Sequence, residues 1–92
     1  MADVIVKLRV MPSSTAIDLK KLGENCKKKI SEFGVKAFYS VTEEPIAFGL
    51  KALDFMFLID EKNSNTDILE AKAKEAEGVE SVQILDVRRA VG

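Results

Sequence analysis

From residue 4 to residue 10 the chain alternates, with Val4, Val6, Leu8 and Val10 separated by Ile5, Lys7 and Arg9. A period of two predicts a strand with one buried face and one mixed face. Met11-Pro12-Ser13-Ser14 ends it, because proline has no N–H for a central ladder. The period then changes. Between Ile17 and Phe33 the apolar residues Leu19, Leu22, Cys26, Ile30 and Phe33 step by three, four, four and three, one stripe of a helix. Ser14 or Thr15 is expected to cap its start, with Asp18 near the positive end of the dipole and Gly34 closing it in a left-handed conformation. Lys20, Lys21, Lys27 and Lys28 occupy the other face.

Val35 to Val41 is aromatic and β-branched and reads as a second strand, with Val35, Ala37, Tyr39 and Val41 on one face. A turn is expected over Glu43–Phe48. Gly49 to Ile59 is apolar on both faces apart from Lys51 and Asp54, so it is expected at the centre of a sheet. A polar loop, Asp60 to Asn65, leads to a second helix starting at Thr66 or Asp67. Asp67 and Glu70 have capping-box spacing, Ile68, Leu69, Ala73 and Ala76 are its apolar members, and Gly78 is its stop. Val79 to Val87 is the last strand. The order β-α-β-β-α-β predicts an α+β, ferredoxin-like sandwich: a four-stranded antiparallel sheet with the first and third strands central and two helices on one face. One domain over residues 1–92 is expected from the length.

Charge narrows the function. Fourteen basic and fifteen acidic residues leave a net charge of -1, without the basic excess of a dedicated nucleic-acid binder. There is no histidine and no glycine-rich phosphate loop, and the single cysteine, Cys26, lies on the apolar helical stripe. Cys26 therefore reads as core packing in a reducing cytoplasm rather than as a nucleophile. Met1-Ala2-Asp3 shows no secretory pattern, and the apolar run Phe55 to Ile59 is too short to span a bilayer, so a soluble, cytoplasmic chain is expected. Asp60, Glu61 and Asp67 surround a loop but lack the pattern of a calcium site. No cofactor, metal or bond-making chemistry is expected.

Three features suggest interaction. Pro45-Ile46-Ala47-Phe48-Gly49 is apolar where the chain should turn, so it either folds onto the core or docks a partner. Arg88-Arg89 is either a solvated end or a cation aimed at phosphate or acidic oxygens. Phe55 and Phe57 share a face of the third strand, where RNA-recognition modules stack bases, but the surrounding residues lack that motif and core packing is the better reading.

The segment Glu44-Pro45-Ile46-Ala47-Phe48-Gly49-Leu50-Lys51-Ala52-Leu53 resembles archaeal translation elongation factor 1-beta, as do Val6-Lys7-Leu8-Arg9-Val10-Met11-Pro12 and Val82-Gln83-Ile84-Leu85-Asp86-Val87-Arg88-Arg89. More distantly, the chain is similar to the exchange domain of the eukaryotic beta and delta subunits. The resemblance implies a guanine nucleotide exchange factor that releases GDP from the elongation factor 1-alpha GTPase, with GDP, GTP and magnesium bound to that partner. It implies a turn aromatic, matching Phe48 within Pro45, Ile46 and Gly49, packed on a β-barrel domain of the GTPase. It also implies a basic residue near the C-terminus, Arg88 or Arg89, reaching the magnesium and phosphates. Eukaryotic relatives carry a penultimate lysine there; here Arg89 aligns with it and three residues follow. The alternative from the fold alone is a binding module that contacts RNA or senses a small molecule.

Overall fold

The alternating residues of the first strand do divide between two faces. The computed structural model describes residues 3–63 and 65–90. In β1 (Asp3–Pro12) every second residue is buried, beginning at Val4. β1 is followed by α1 (Leu19–Phe33), β2 (Val35–Ala47), β3 (Leu50–Asp60), a 3-10 turn (Glu61–Asn63), α2 (Thr66–Lys74) and β4 (Val79–Arg89). The sheet is antiparallel in the order β2-β3-β1-β4, so the two strands richest in buried residues are central. This is the ferredoxin-like arrangement expected from the sequence.

The core lies between the sheet and the helices. Val6, Leu8, Val10, Phe55, Phe57 and Ile59 from the sheet meet Leu22, Cys26 and Ile30 of α1 and Leu69 and Ala73 of α2. Burying each large side chain contributes roughly 1.5–3 kcal/mol before entropy is subtracted. α1 keeps its stripe as read, with Leu22, Cys26 and Ile30 buried and Leu19 and Phe33 packed against the core. Its cap differs: Asp18, not Ser14 or Thr15, accepts from the Lys20 and Lys21 N–H groups at 2.9 and 3.4 Å, so the helix begins at Leu19 rather than Ile17. Gly34 closes it at φ 117°.

β2 departs most from expectation. It does not end at Val41; it runs through Glu43, Glu44 and Pro45 to Ala47, which an edge strand permits because its outward groups need no partner. Irregularities in its pairing with β3 shift the alternation, so Phe38 rather than Tyr39 packs on the core. Its ring lies 5.8 Å from Phe57, with the Lys27 ammonium 5.0 Å above it. β3 begins at Leu50 rather than Gly49, and β4 extends past Val87 to Arg89. Asn65 caps α2, accepting from the Asp67 and Ile68 N–H groups, in place of the Asp67–Glu70 box. α2 stops at Lys74, ahead of Gly78.

One charge is buried in the sheet. Asp54 of β3 is 5% exposed and receives the Arg9 guanidinium of β1 through two hydrogen bonds of 2.8 and 3.0 Å. The register places them opposite each other on the face away from the helices. A forked contact of this kind satisfies both carboxylate oxygens, which makes the burial tolerable.

Candidate functional site

Only two residues, Phe48 and Gly49, join β2 to β3. Both have positive φ, 53° and 80°, the backbone of the tight hairpin turn whose twist matches its strands. Such turns favour Asn-Gly: glycine has no Cβ, the short Asn side chain hydrogen-bonds locally, and other residues enter the left-handed conformation at a cost of roughly 1–2 kcal/mol. A bulky aromatic here is unusual. Phe48 is also 99% exposed, so the turn does not fold back on the core. Pro45, Ile46 and Gly49 are exposed beside it. Together they form an apolar tip on an arm, because Val10 opposite Leu53 is the last β1–β3 pair and the hairpin continues alone beyond it.

The arginine pair lies at the other end of the sheet. Val4 is opposite both Ile59 and Arg89, and the Ala90 N–H donates to the Asp3 carbonyl at 2.8 Å, which fixes the strand end. Successive residues of a strand point to opposite faces, so the two guanidinium groups diverge. Arg88, opposite Ile5, is 77% exposed and pairs with Asp86 on the open face of the sheet. Arg89, on the helix-bearing face with Val4, is 69% exposed and pairs with Glu61 of the 3-10 turn. Neither is pinned inside the fold. Val91 and Gly92, which follow them, and Met1 and Ala2 lie outside the described residues.

Tip and cation are far apart. Counting along β3 from Leu50 to Ile59 at ~3.3 Å per residue separates them by roughly 30 Å, within a molecule 42 Å long. The candidate residues therefore lie at two stations on one sheet rather than in a cleft.

Other candidates have structural roles. Phe55 and Phe57 are fully buried and cannot stack bases. Burial pushes the Cys26 thiol up to about 12, far from a reactive thiolate at neutral pH. Asp60 accepts from the Lys62 N–H at 2.8 Å, Glu61 holds Arg89, and Asp67 sits in the first turn of α2. Among the described residues no group of three or more cysteines and carboxylates is placed to hold a metal, and no helix is long and apolar enough to cross a membrane. Sequence reasoning missed the contact between Glu61 and Arg89, since nothing local links positions 28 apart.

The chain is similar to known proteins over nearly its whole length. The family model for the EF-1 guanine nucleotide exchange domain matches residues 5–90. A protein of Methanosarcina mazei named Elongation factor 1-beta is 40% identical over 89 residues, covering 97% of this chain and 99% of the relative. Proteins of the same name from Methanothermobacter thermautotrophicus and Methanoregula boonei are 37% and 41% identical, covering 97% and 95% of this chain and 98% and 96% of theirs.

Proposed function

The chain belongs to the EF-1 guanine nucleotide exchange domain family and is a nucleotide exchange factor of translation elongation; we propose that it acts on the elongation factor 1-alpha GTPase in the cytoplasm, with Phe48 as its anchor and Arg89 as the group that loosens the nucleotide. The observation that carries this reading is the Phe48 ring, fully exposed on a backbone that suits asparagine or glycine better. The fold gains nothing from that ring, so its use lies outside the fold.

A GTPase holds GDP through phosphate-loop amides, a lysine and magnesium. An exchange factor must bind the empty or metal-free form more tightly than the loaded form, because only that difference shifts the equilibrium. A guanidinium brought to the magnesium site provides it, repelling the metal and competing for its oxygen ligands. Each ~1.4 kcal/mol of coupling weakens nucleotide binding tenfold. Arg89 is suited to this as the last residue of β4, at a corner of the sheet and exposed there. Arg88, turned to the open face with Asp86, has a supporting place. GDP, GTP and magnesium belong to the partner, and no covalent step is assigned to this chain.

Release of a fluorescent GDP, followed by stopped flow, separates the two roles. Phe48→Ala raises the factor concentration needed for half-maximal rate by about thirtyfold, the effect of losing an anchor worth roughly 2 kcal/mol. Arg89→Ala slows release about tenfold at saturating factor. An Arg89→Ala rate equal to the parent's at saturation removes Arg89 from the mechanism.

A further inference from the structure

Gly23 lies inside α1, where nothing in the fold calls for glycine. Its backbone is not left-handed, and a Cβ added there would meet only Leu53 Cδ1 at 3.6 Å, an ordinary van der Waals contact. Alanine would fit, and it would favour the helix, since glycine loses more backbone freedom on folding. What glycine keeps open is a groove of about 430 Å3 between α1 and the hairpin arm, with Leu19, Gly23, Val41 and Leu53 as its apolar lining. Val41 is 42% exposed there, an apolar strand residue left uncovered by the helix.

We propose that this groove receives an apolar side chain of the same GTPase that packs around Phe48, so that each protein inserts a group into the other. The proposal rests on the reading of Phe48 given above and adds a second contact to it. Two observations identify the occupant. First, the groove leads to the tip: a neighbouring recess of about 250 Å3 is lined by Gly49 and Leu50, next to Phe48, and shares Leu19 with the groove. A domain seated on Phe48 thus reaches, past Gly49 and Leu50, the Leu19 side chain that the recess shares with the groove. Second, the rim carries Lys20 and Lys27 against Glu24 and Glu43. That balance suits an uncharged apolar group and offers nothing selective to a phosphate or an acidic tail.

The test uses the whole chain with the GTPase, measuring affinity by titration calorimetry and folding by thermal melting. Gly23→Ala melts no lower than the parent, yet binds more weakly; Gly23→Leu, which fills the groove, raises Kd about tenfold, a typical loss for a central interface contact. Val41→Lys, on the opposite wall and already exposed, weakens binding without touching the helix. Parental affinity in both Gly23→Leu and Val41→Lys overturns the proposal, and if Phe48→Ala still weakens binding in that case, the anchor reading stands without it. Loss in the groove variants together with loss in Phe48→Ala supports the proposal; loss in the groove variants at parental affinity for Phe48→Ala overturns it and the anchor reading together, because the partner then does not pack around Phe48. Sedimentation that shows the parent self-associating and the variants monomeric, at unchanged GTPase affinity, assigns the groove to a second copy and overturns it also.

Discussion

Phe48 shows a residue working against its own backbone. At φ 53° it occupies a conformation that an apolar or bulky side chain enters at a cost of roughly 1–2 kcal/mol and that asparagine, whose short amide hydrogen-bonds locally, enters more easily. Phe48→Asn would create the Asn-Gly pair that tight hairpins favour. We expect this variant to melt about 5 °C higher, as a gain of about 1 kcal/mol implies for a domain of this size, while binding the GTPase far more weakly. A variant that loses both stability and affinity would mean that the ring supports the hairpin instead. The aromatic at a turn was legible in the sequence as an anomaly. Its exposure was not, because the same residues suit a turn that folds inward. Asp54 gave a similar partial signal: a lone acid in an apolar strand asks for a partner, but only the register identifies it as Arg9.

Among elements, those with one strong period were readable and those with competing signals were not. β1 and the stripe of α1 came directly from spacing, since each buries one face against the same core. β2 did not, because Glu43, Glu44 and Pro45 have turn-like composition, whereas an edge strand accepts all three. The cap of α1 was ambiguous for a plain reason: Ser14, Thr15 and Asp18 can all accept from a helix start. The helices are joined at the surface by Glu32 of α1, which accepts from the Lys72 ammonium of α2 at 3.2 Å. That bond, followed by the charge of Lys29, holds the Glu32 carboxyl below its ordinary value of 4.5. A depressed folded-state value stabilises the protein above that pH and is lost as the pH falls below it. Urea midpoints should therefore place the parent above Glu32→Gln at neutral pH, with the difference vanishing under acid conditions. A difference that persists at low pH would show that packing, not charge, joins these helices.

On the scale of the whole molecule, the sheet acts as a ruler between tip and cation. β1 is paired on both sides from Val4 to Val10, and β3 is paired with β1 and β2, so the ends cannot shift separately without breaking ladders. Adding two residues to each strand of the free arm keeps the alternation and moves Phe48 outward by ~7 Å. We expect the lengthened protein to fold and to dock through Phe48, but to lose most of its acceleration of GDP release at saturating concentration. Full acceleration would show that the two stations work independently. The β-α-β-β-α-β order was readable from end to end, and right-handed crossovers then left one arrangement of strands. Function was not contained in that order; it was legible through the family resemblance carried by residues 6–12, 44–53 and 82–89.

The hydrogen bond from Ala90 to the Asp3 carbonyl has a practical corollary. It makes the beginning of β1 a neighbour of the C-terminal end of β4, so an affinity tag or fluorescent protein fused ahead of Asp3 emerges beside Arg89. Such a fusion would screen the guanidinium sterically, whereas a label on the outer surface of α1, for instance at Lys28, leaves that corner clear.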